Sequence, residues 1–377
     1  MTVDERTVTA VLHRMADETE WRPRLPRRTM LRARTRRSVT VALAVVLLTC
    51  VAYGSVVMAG AFRGPRPAGP RPLPNTRFQK LTITARMPLP SGVTDVAVSR
   101  GAVWVSGFRK LTRVDPASGQ IVASIPLPGL GDYSSVAVGA GSVWVTASEQ
   151  GFRGVYKINP ATNAIADRIP LTRNVEGIAV GAGSVWVTRP QRGAGSVIRI
   201  DARTDRVIGK PITVGVGPVP ILYAAGAVFV TNTDSGGSVS RIDAHTGAVT
   251  RAWGTGDDVQ AFGAGSLWGI GNDAVVRIDV HTGRVIAAIP LKRAAKVAYG
   301  GGRVWAITDP PSKSATLYEP NSRHPGTVVT IDPATDRISS VPVPYGETAA
   351  YIAVRGPVAW IGDYNKQVLT GVQATEK

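Results

Sequence analysis

Six Asp or Asn residues recur in register along the 377-residue chain, each opening a five-residue phrase. The phrases are Asp115-Pro-Ala-Ser-Gly119, Asn159-Pro-Ala-Thr-Asn163, Asp201-Ala-Arg-Thr-Asp205, Asp243-Ala-His-Thr-Gly247, Asp279-Val-His-Thr-Gly283 and Asp332-Pro-Ala-Thr-Asp336. Aspartate-like residues in register, with His245 and His281 among them, have the chemistry of a metal site. A plainer chemistry accounts for them. An Asp or Asn at the first position bonds the backbone two residues on. The fifth position is always Gly, Asn or Asp, the residues that best tolerate a left-handed conformation. The phrase therefore reads as a stapled turn. The two histidines fill a place held by Ala or Arg in other copies, and no glutamate lies between Glu176 and Glu319 to partner them. His324 has Glu319 nearby in sequence. No phosphate loop, zinc spacing or nucleophile elbow is present, and the single cysteine, Cys50, excludes an internal disulfide.

A second phrase shows what the turns connect. Val-Ala-Val-Gly-Ala-Gly-Ser-Val-Trp-Val-Thr occupies 136–146 and returns with Ile for the first Val at 178–188. Its aromatic recurs as Trp104, Trp144, Trp186, Phe229, Trp268, Trp305 and Trp360, at intervals of 40, 42, 43, 39, 37 and 55 residues. Length alone would suggest two or three domains, but a fixed period of about 20–50 residues indicates one repeat architecture. Val, Gly and Thr dominate, so strands are expected. Each repeat reads as four strands, with a Gly three residues before the aromatic in six of seven copies to make the first hairpin. Four-stranded units arranged radially make a β-propeller.

The counts decide between a ring and a linear array. There are seven aromatic phrases but six stapled turns. Residues 80–90 resemble a fourth strand without its blade, and 367–372 stand where a third strand belongs. Pairing 80–88 with 367–372 closes a ring and removes open sheet edges. The expected fold is all-β, a seven-bladed propeller over 79–377 sealed by its N-terminal outer strand. The recurring aromatics are expected between blades as core.

These residues resemble the YVTN-type seven-bladed propeller repeats of secreted and surface proteins. Phe229-Val-Thr-Asn232 stands closest to the signature tetrapeptide, and Val239-Ser-Arg-Ile-Asp-Ala-His-Thr-Gly-Ala-Val249 to the rest of the repeat. The other copies carry Trp for Tyr and often lack the Asn. The resemblance covers 79–377 and shades into streptogramin lyase-like and gluconolactonase-like propellers. That kinship implies, as an alternative function, a metal-dependent lyase or lactonase with a catalytic His and metal-binding carboxylates. No such set is recognisable here, and no cofactor is expected.

The N-terminal fifth is different. Residues 39–62 are uncharged and long enough to span a bilayer. Eight Arg and no acid lie between Arg22 and Arg37, which places the N-terminus in the cytoplasm and the ring outside. A cleaved signal peptide would use Ala59-Gly60-Ala61, but the apolar run exceeds an h-region of about 7–15 residues, so a retained anchor is expected. Residues 1–38 then form a basic cytoplasmic tail, and 63–78, with five prolines between Pro65 and Pro74, a semi-rigid stalk. Half of the net charge of +18 flanks the apolar segment and the rest is diffuse over the repeats. That distribution, outside the cell, gives no reason to expect a nucleic-acid partner.

Function is therefore sought at a ring face. The fourth-to-first and second-to-third connections share one face. Their candidate ligand-binding residues are Asp132, Tyr133, Glu149, Arg153, Arg173, Glu176, Arg192, Asp257, Asp258, Lys292, Lys296, Tyr345, Glu347, Asp363 and Tyr364. The long insertion 309–325 before Trp360 adds Tyr318, Glu319 and His324. A mixed-charge rim of this kind suits an extracellular protein, a peptide or a cell-wall polymer.

Overall fold

Short apolar runs punctuated by Gly and by stapled turns fold as expected into seven antiparallel sheets of one ring. The computed structural model describes residues 79–233, 237–253, 258–309, 325–346 and 351–376. The basic tail, the apolar segment 39–62 and the Pro/Arg-rich segment lie outside the described residues. Among the described residues no helix is long and apolar enough to cross a membrane.

Blade 1 runs outward through Asp95–Ser99, Ala102–Gly107, Lys110–Val114 and Ile121–Pro126. Blades 2 to 5 repeat that order over 136–170, 178–216, 218–253 and 258–290. Each inner strand touches the inner strands of its two neighbours, and that of blade 7 meets that of blade 1. The ring is closed as the missing turn requires. Blade 7 takes three strands from the C-terminus and its outer strand, Gln79–Pro88, from the other end of the ring. The register sets Leu81 against Ala374 and Met87 against Leu369.

The turns behave as their chemistry dictates. In the first hairpin Gly141, Gly183, Gly226 and Gly265 have φ of 68–76°, and the preceding Ala140, Ala182, Ala225 and Ala264 are also left-handed at 46–51°. In the stapled turn, Asp243 Oδ1 accepts from His245 N at 3.0 Å and Thr246 N at 2.8 Å. Asn163, Asp205 and Asp336 hold the left-handed fifth position with φ of 58°, 60° and 54°. Close packing fixes other glycines: a Cβ on Gly181 would stand 2.1 Å from the Tyr223 ring.

The core lies between blades. Trp104 packs with Leu111 and Ile125 of its own blade and with Val143, Val145 and Ile158 of blade 2. Trp104, Trp144, Trp186 and Trp268 are wholly buried, each worth about 1.5–3 kcal/mol or more of apolar burial.

A repeated polar clip crosses the same junctions. A base on the third strand lies over its own blade's aromatic, as Arg113 does over Trp104 at 5.3 Å and Lys157 over Trp144 at 5.0 Å. Its head then reaches the stapled turn of the next blade. Arg113 Nη1 donates to Asn163 Oδ1 at 2.8 Å, Lys157 Nζ to Asp205 at 2.7 and 2.9 Å, and Arg277 Nη1 to Asp336 Oδ1 at 3.1 Å. Where the next fifth residue is Gly247, Arg199 takes the carbonyl of His245 instead. The junction of blades 6 and 7 has no such turn. There Arg303 donates to Ser339 Oγ at 3.2 Å, and the Gln79 amide oxygen, in the orientation its neighbours dictate, accepts from Arg303 Nε at 2.8 Å. In blade 7 the residue opposite Trp360 is Gly371, which carries no side chain. A hollow of about 610 Å³ lined by Trp360, Arg355 and Pro116 remains at the junction of blades 7 and 1.

Candidate functional site

The second-strand residue two places after the aromatic carries a hydroxyl in four blades, and three of these bridge to the next blade. Ser106 Oγ donates to Ser134 O at 3.4 Å, Thr146 Oγ1 to Glu176 O at 2.7 Å, and Thr231 Oγ1 to Val259 O at 3.2 Å. These bridges draw the inner strands together at the face where the fourth-to-first and second-to-third connections meet. All seven inner strands, or the residues leading into them, line a cavity of about 210 Å³ at that mouth.

The mouth has a regular address in the sequence. Asp95, Ser135, Gly177, Pro220, Val259, Lys296 and Tyr351 stand nine residues before the seven aromatics, and all line the cavity. Gln260, in a bulge of blade 5, joins them. Asp95 lies deep in the ring but keeps part of its surface open to the cavity. Its Oδ1 accepts from Val96 N at 2.8 Å and its Oδ2 from Val136 N of blade 2 at 2.9 Å. Burial pushes its carboxyl up to about 6, against the pull of those two N–H groups and of Lys296. Gln260 makes the same crossing, its Oε1 accepting from Val297 N of blade 6 at 2.9 Å, while its Nε2 donates to Asp258 Oδ2 at 2.7 Å. Burial and the negative charges of Asp95 and Asp132 push the Tyr351 phenol up. Burial also raises Asp309, partly offset by Lys296 and Arg293, and raises Glu176. The Oδ1 atoms of Asp258 and Asp309 are buried without a hydrogen-bond partner. Because both Asp95 oxygens hold backbone N–H groups, its chemistry is that of a blade-to-blade clasp with a labile proton.

Beside the mouth a groove of about 430 Å³ lies over blades 1 and 2, lined by Phe108, Arg109, Leu130, Asp132, Glu149 and Gln150. Its floor is stitched by the backbone. Arg109 N donates to Leu130 O at 3.2 Å, and Gly129 O accepts from Ser148 N and Glu149 N at 3.0 and 2.9 Å. Glu149 lies across Gly131, where a Cβ would stand 2.4 Å from its Cγ. Blade 7 supplies the third wall. Tyr364 donates its phenol proton to Asp132 Oδ1 at 2.9 Å, which raises its own pKa, and meets Phe108 edge to face at 6.2 Å.

The residues expected from the sequence divide accordingly. Asp132, Glu149 and Tyr364 come together at this groove, Tyr133 is exposed on the loop beside Asp132, and Lys296 lines the mouth. Asp258 reaches the mouth through Gln260. Arg153, Arg173, Arg192 and Lys292 are exposed. Two residues expected at the rim are instead buried. Tyr345 closes blade 6, whose outer strand is split into Arg337–Ile338 and Val343–Gly346, and its phenol donates to Thr308 O at 3.2 Å. Asp363 is turned inward and accepts from Lys366 N at 2.9 Å, shaping the loop that presents Tyr364. Asp257, Tyr318, Glu319, His324 and Glu347 lie outside the described residues. His245 and His281 are exposed in their turns. Among the described residues no three His, Cys, Asp or Glu side chains gather as metal ligands.

Asp95, Gln260 and Tyr351 were missed by the sequence reading, and so was Phe108. The signal for Asp95 and Tyr351 was present, since counting nine back from each aromatic names them. Gln260 had no such signal, because the bulge displaces it by one position.

No family model and no curated protein matches the sequence. Solved structures do. The WD40 domain of Pan2 from Neurospora crassa superposes with a TM-score of 0.61 at 11% identity, over 81% of this chain and 98% of that one. A chain of the mitotic checkpoint complex superposes with a TM-score of 0.61 at 13% identity, over 83% and 97%. The likeness is one of fold, a seven-bladed propeller.

Proposed function

We propose that this chain is a single-pass membrane protein whose ring stands outside the cell and binds a partner protein through its mouth face. One observation carries the binding reading. The exposed aromatic side chains among the described residues, Phe108, Tyr133 and Tyr364, all belong to loops of that face, whereas the recurring aromatics are buried. Exposed aromatics beside a concave polar site have the composition of an interaction hot spot. The ring's kinship to a chain within a multiprotein complex agrees with such a role. So does the finer resemblance to the YVTN-type repeats of surface proteins, carried by 229–232 and 239–249.

Anchoring rests on the uncharged segment 39–62 and the arginines before it. The closing strand sets the side on which the chain enters the ring. Gln79 N bonds Ser339 O, just past the stapled turn of blade 6, and Pro88 pairs with Val368 beside the mouth loop of blade 7. The chain thus enters the ring on the stapled-turn side.

Two measurements test this. A membrane-impermeant maleimide added to intact cells is expected to label Ser118→Cys in a Cys50→Ser background. Labelling only after lysis would place the ring inside. A photo-crosslinking amino acid at Tyr133 is expected to trap a protein partner that the same group at Ile208, on the outer rim, does not. Equal adducts from both sites, or none from Tyr133, would remove the mouth-face reading. Turnover of a streptogramin or a lactone with Mg²⁺ or Ca²⁺ would favour the enzyme alternative.

A further inference from the structure

The groove over blades 1 and 2 has a definite chemistry within a ring that is otherwise basic. Two carboxylates, Asp132 and Glu149, face it, and neither forms an ion pair with Arg109, the one cation in its lining. Tyr364 bonds one oxygen of Asp132, Oδ1. Phe108 exposes 40% of its surface there, and Tyr364 exposes 37%. A carboxylate pair beside aromatic faces answers one kind of group, a planar or ammonium cation on an apolar stem. The ring itself shows the geometry that suits such a cation, since six bases among the described residues lie 4.8 to 6.0 Å over aromatic rings. The backbone bonds beneath Glu149 and the Tyr364 bond to Asp132 order the groove before anything binds.

Resting on the reading of the mouth face as a protein-binding surface, we infer that this groove docks an arginine or lysine side chain from an extended segment of the partner. The guanidinium or ammonium lies between Asp132 and Glu149, with its stem against Phe108 and Tyr364. The basic remainder of the ring repels cationic segments elsewhere, so the acidic groove also fixes where such a segment lands.

The test uses the full chain in nanodiscs of zwitterionic phosphatidylcholine, selected against a phage library of random decapeptides. Enriched peptides are expected to share one fixed Arg or Lys. Replacing that residue by citrulline or norleucine is expected to weaken binding at least tenfold in fluorescence polarisation. The double variant Asp132→Asn/Glu149→Gln should weaken it equally, and Phe108→Ala at least fivefold, with melting temperatures unchanged to show an intact ring. Enriched peptides without a fixed basic residue, or undiminished binding to the double variant, would overturn the inference and leave the binding-module reading standing. Failure to enrich anything over empty nanodiscs would also count against it. The module reading stands or falls separately, on the Tyr133 adduct. Enrichment that appears only after Arg63, Arg66, Arg71 and Arg77 are changed to Gln would assign the groove to the chain's own stalk rather than to a partner.

Discussion

Asp95 shows how one buried carboxyl couples the mouth to pH. Its folded value is near 6 and its ordinary value 3.8. Between those values the folded chain keeps a proton that the unfolded chain has released. Stability therefore falls as pH rises through that window, by at most about 1.4 kcal/mol per pH unit. The Asp95→Asn variant lacks this loss, so the wild type is expected to gain on it in melting temperature as pH falls from 7 to 4. A constant difference across that range would show that Asp95 carries no raised pKa. The turn acids Asp115, Asp201, Asp243 and Asp279 work in the opposite sense. Bonds from the fourth residue of each turn hold them below the ordinary value, so their contribution is present above it and is lost in stronger acid. The left-handed alanines offer a second residue-scale test. Ala182 sits at φ 51°, and Ala182→Gly is expected to stabilise the ring by about 0.5–1 kcal/mol in urea melts, as relief of strain exceeds the entropy of the added glycine. A loss of stability would contradict the strained geometry.

At the scale of strands and blades, two kinds of contact hold the junctions. The apolar one is the aromatic on the second strand. Trp186→Ala empties a wholly buried site and is expected to cost about 3–5 kcal/mol by chemical denaturation. The polar one is the base that reaches from one blade's third strand to the next blade's turn. Lys157 and Asp205 are 15% and 16% exposed, so removing one partner strands the other in partial burial. Asp205→Ala is expected to destabilise by about 2 kcal/mol. A double-mutant cycle with Lys157→Met should show a coupling of about 1 kcal/mol. A coupling near zero would reduce the clip to a crystal-like surface pair. The clip also gives the fifth turn residue a second duty. Asn163, Asp205 and Asp336 both bend the turn and receive the neighbouring base, whereas Gly247 can only bend it.

At the scale of the molecule, the closing strand decides whether a ring exists. Deleting 79–88 removes the outer strand of blade 7 and the Gln79–Arg303 contact at the junction with blade 6. The expected result is an exposed sheet edge, with loss of cooperative melting and association visible by light scattering. A monomer that melts as sharply as the full ring would show that closure is dispensable.

The amino-acid sequence by itself determined the blade count, the strand order, the stapled turns and the closure of the ring. Each follows from chemistry between neighbours in the chain: period-two burial, positive φ at fixed places, and a turn missing where the ends meet. It also named Asp132, Tyr133, Glu149 and Tyr364, because connection order assigns loops to faces. Only the tertiary structure decided which of those loops converge. It turned Asp363 inward and buried Tyr345, which lies on the split outer strand of blade 6, since the loop at 363–366 and that strand depart from the repeat. It brought Phe108, Asp132 and Tyr364 from three blades to one groove, and set Asp95, Lys296 and Tyr351 around one axis. The physical reason is radial symmetry. Residues about 40 positions apart become neighbours at the axis, and how near they come depends on inter-blade packing that no local pattern encodes.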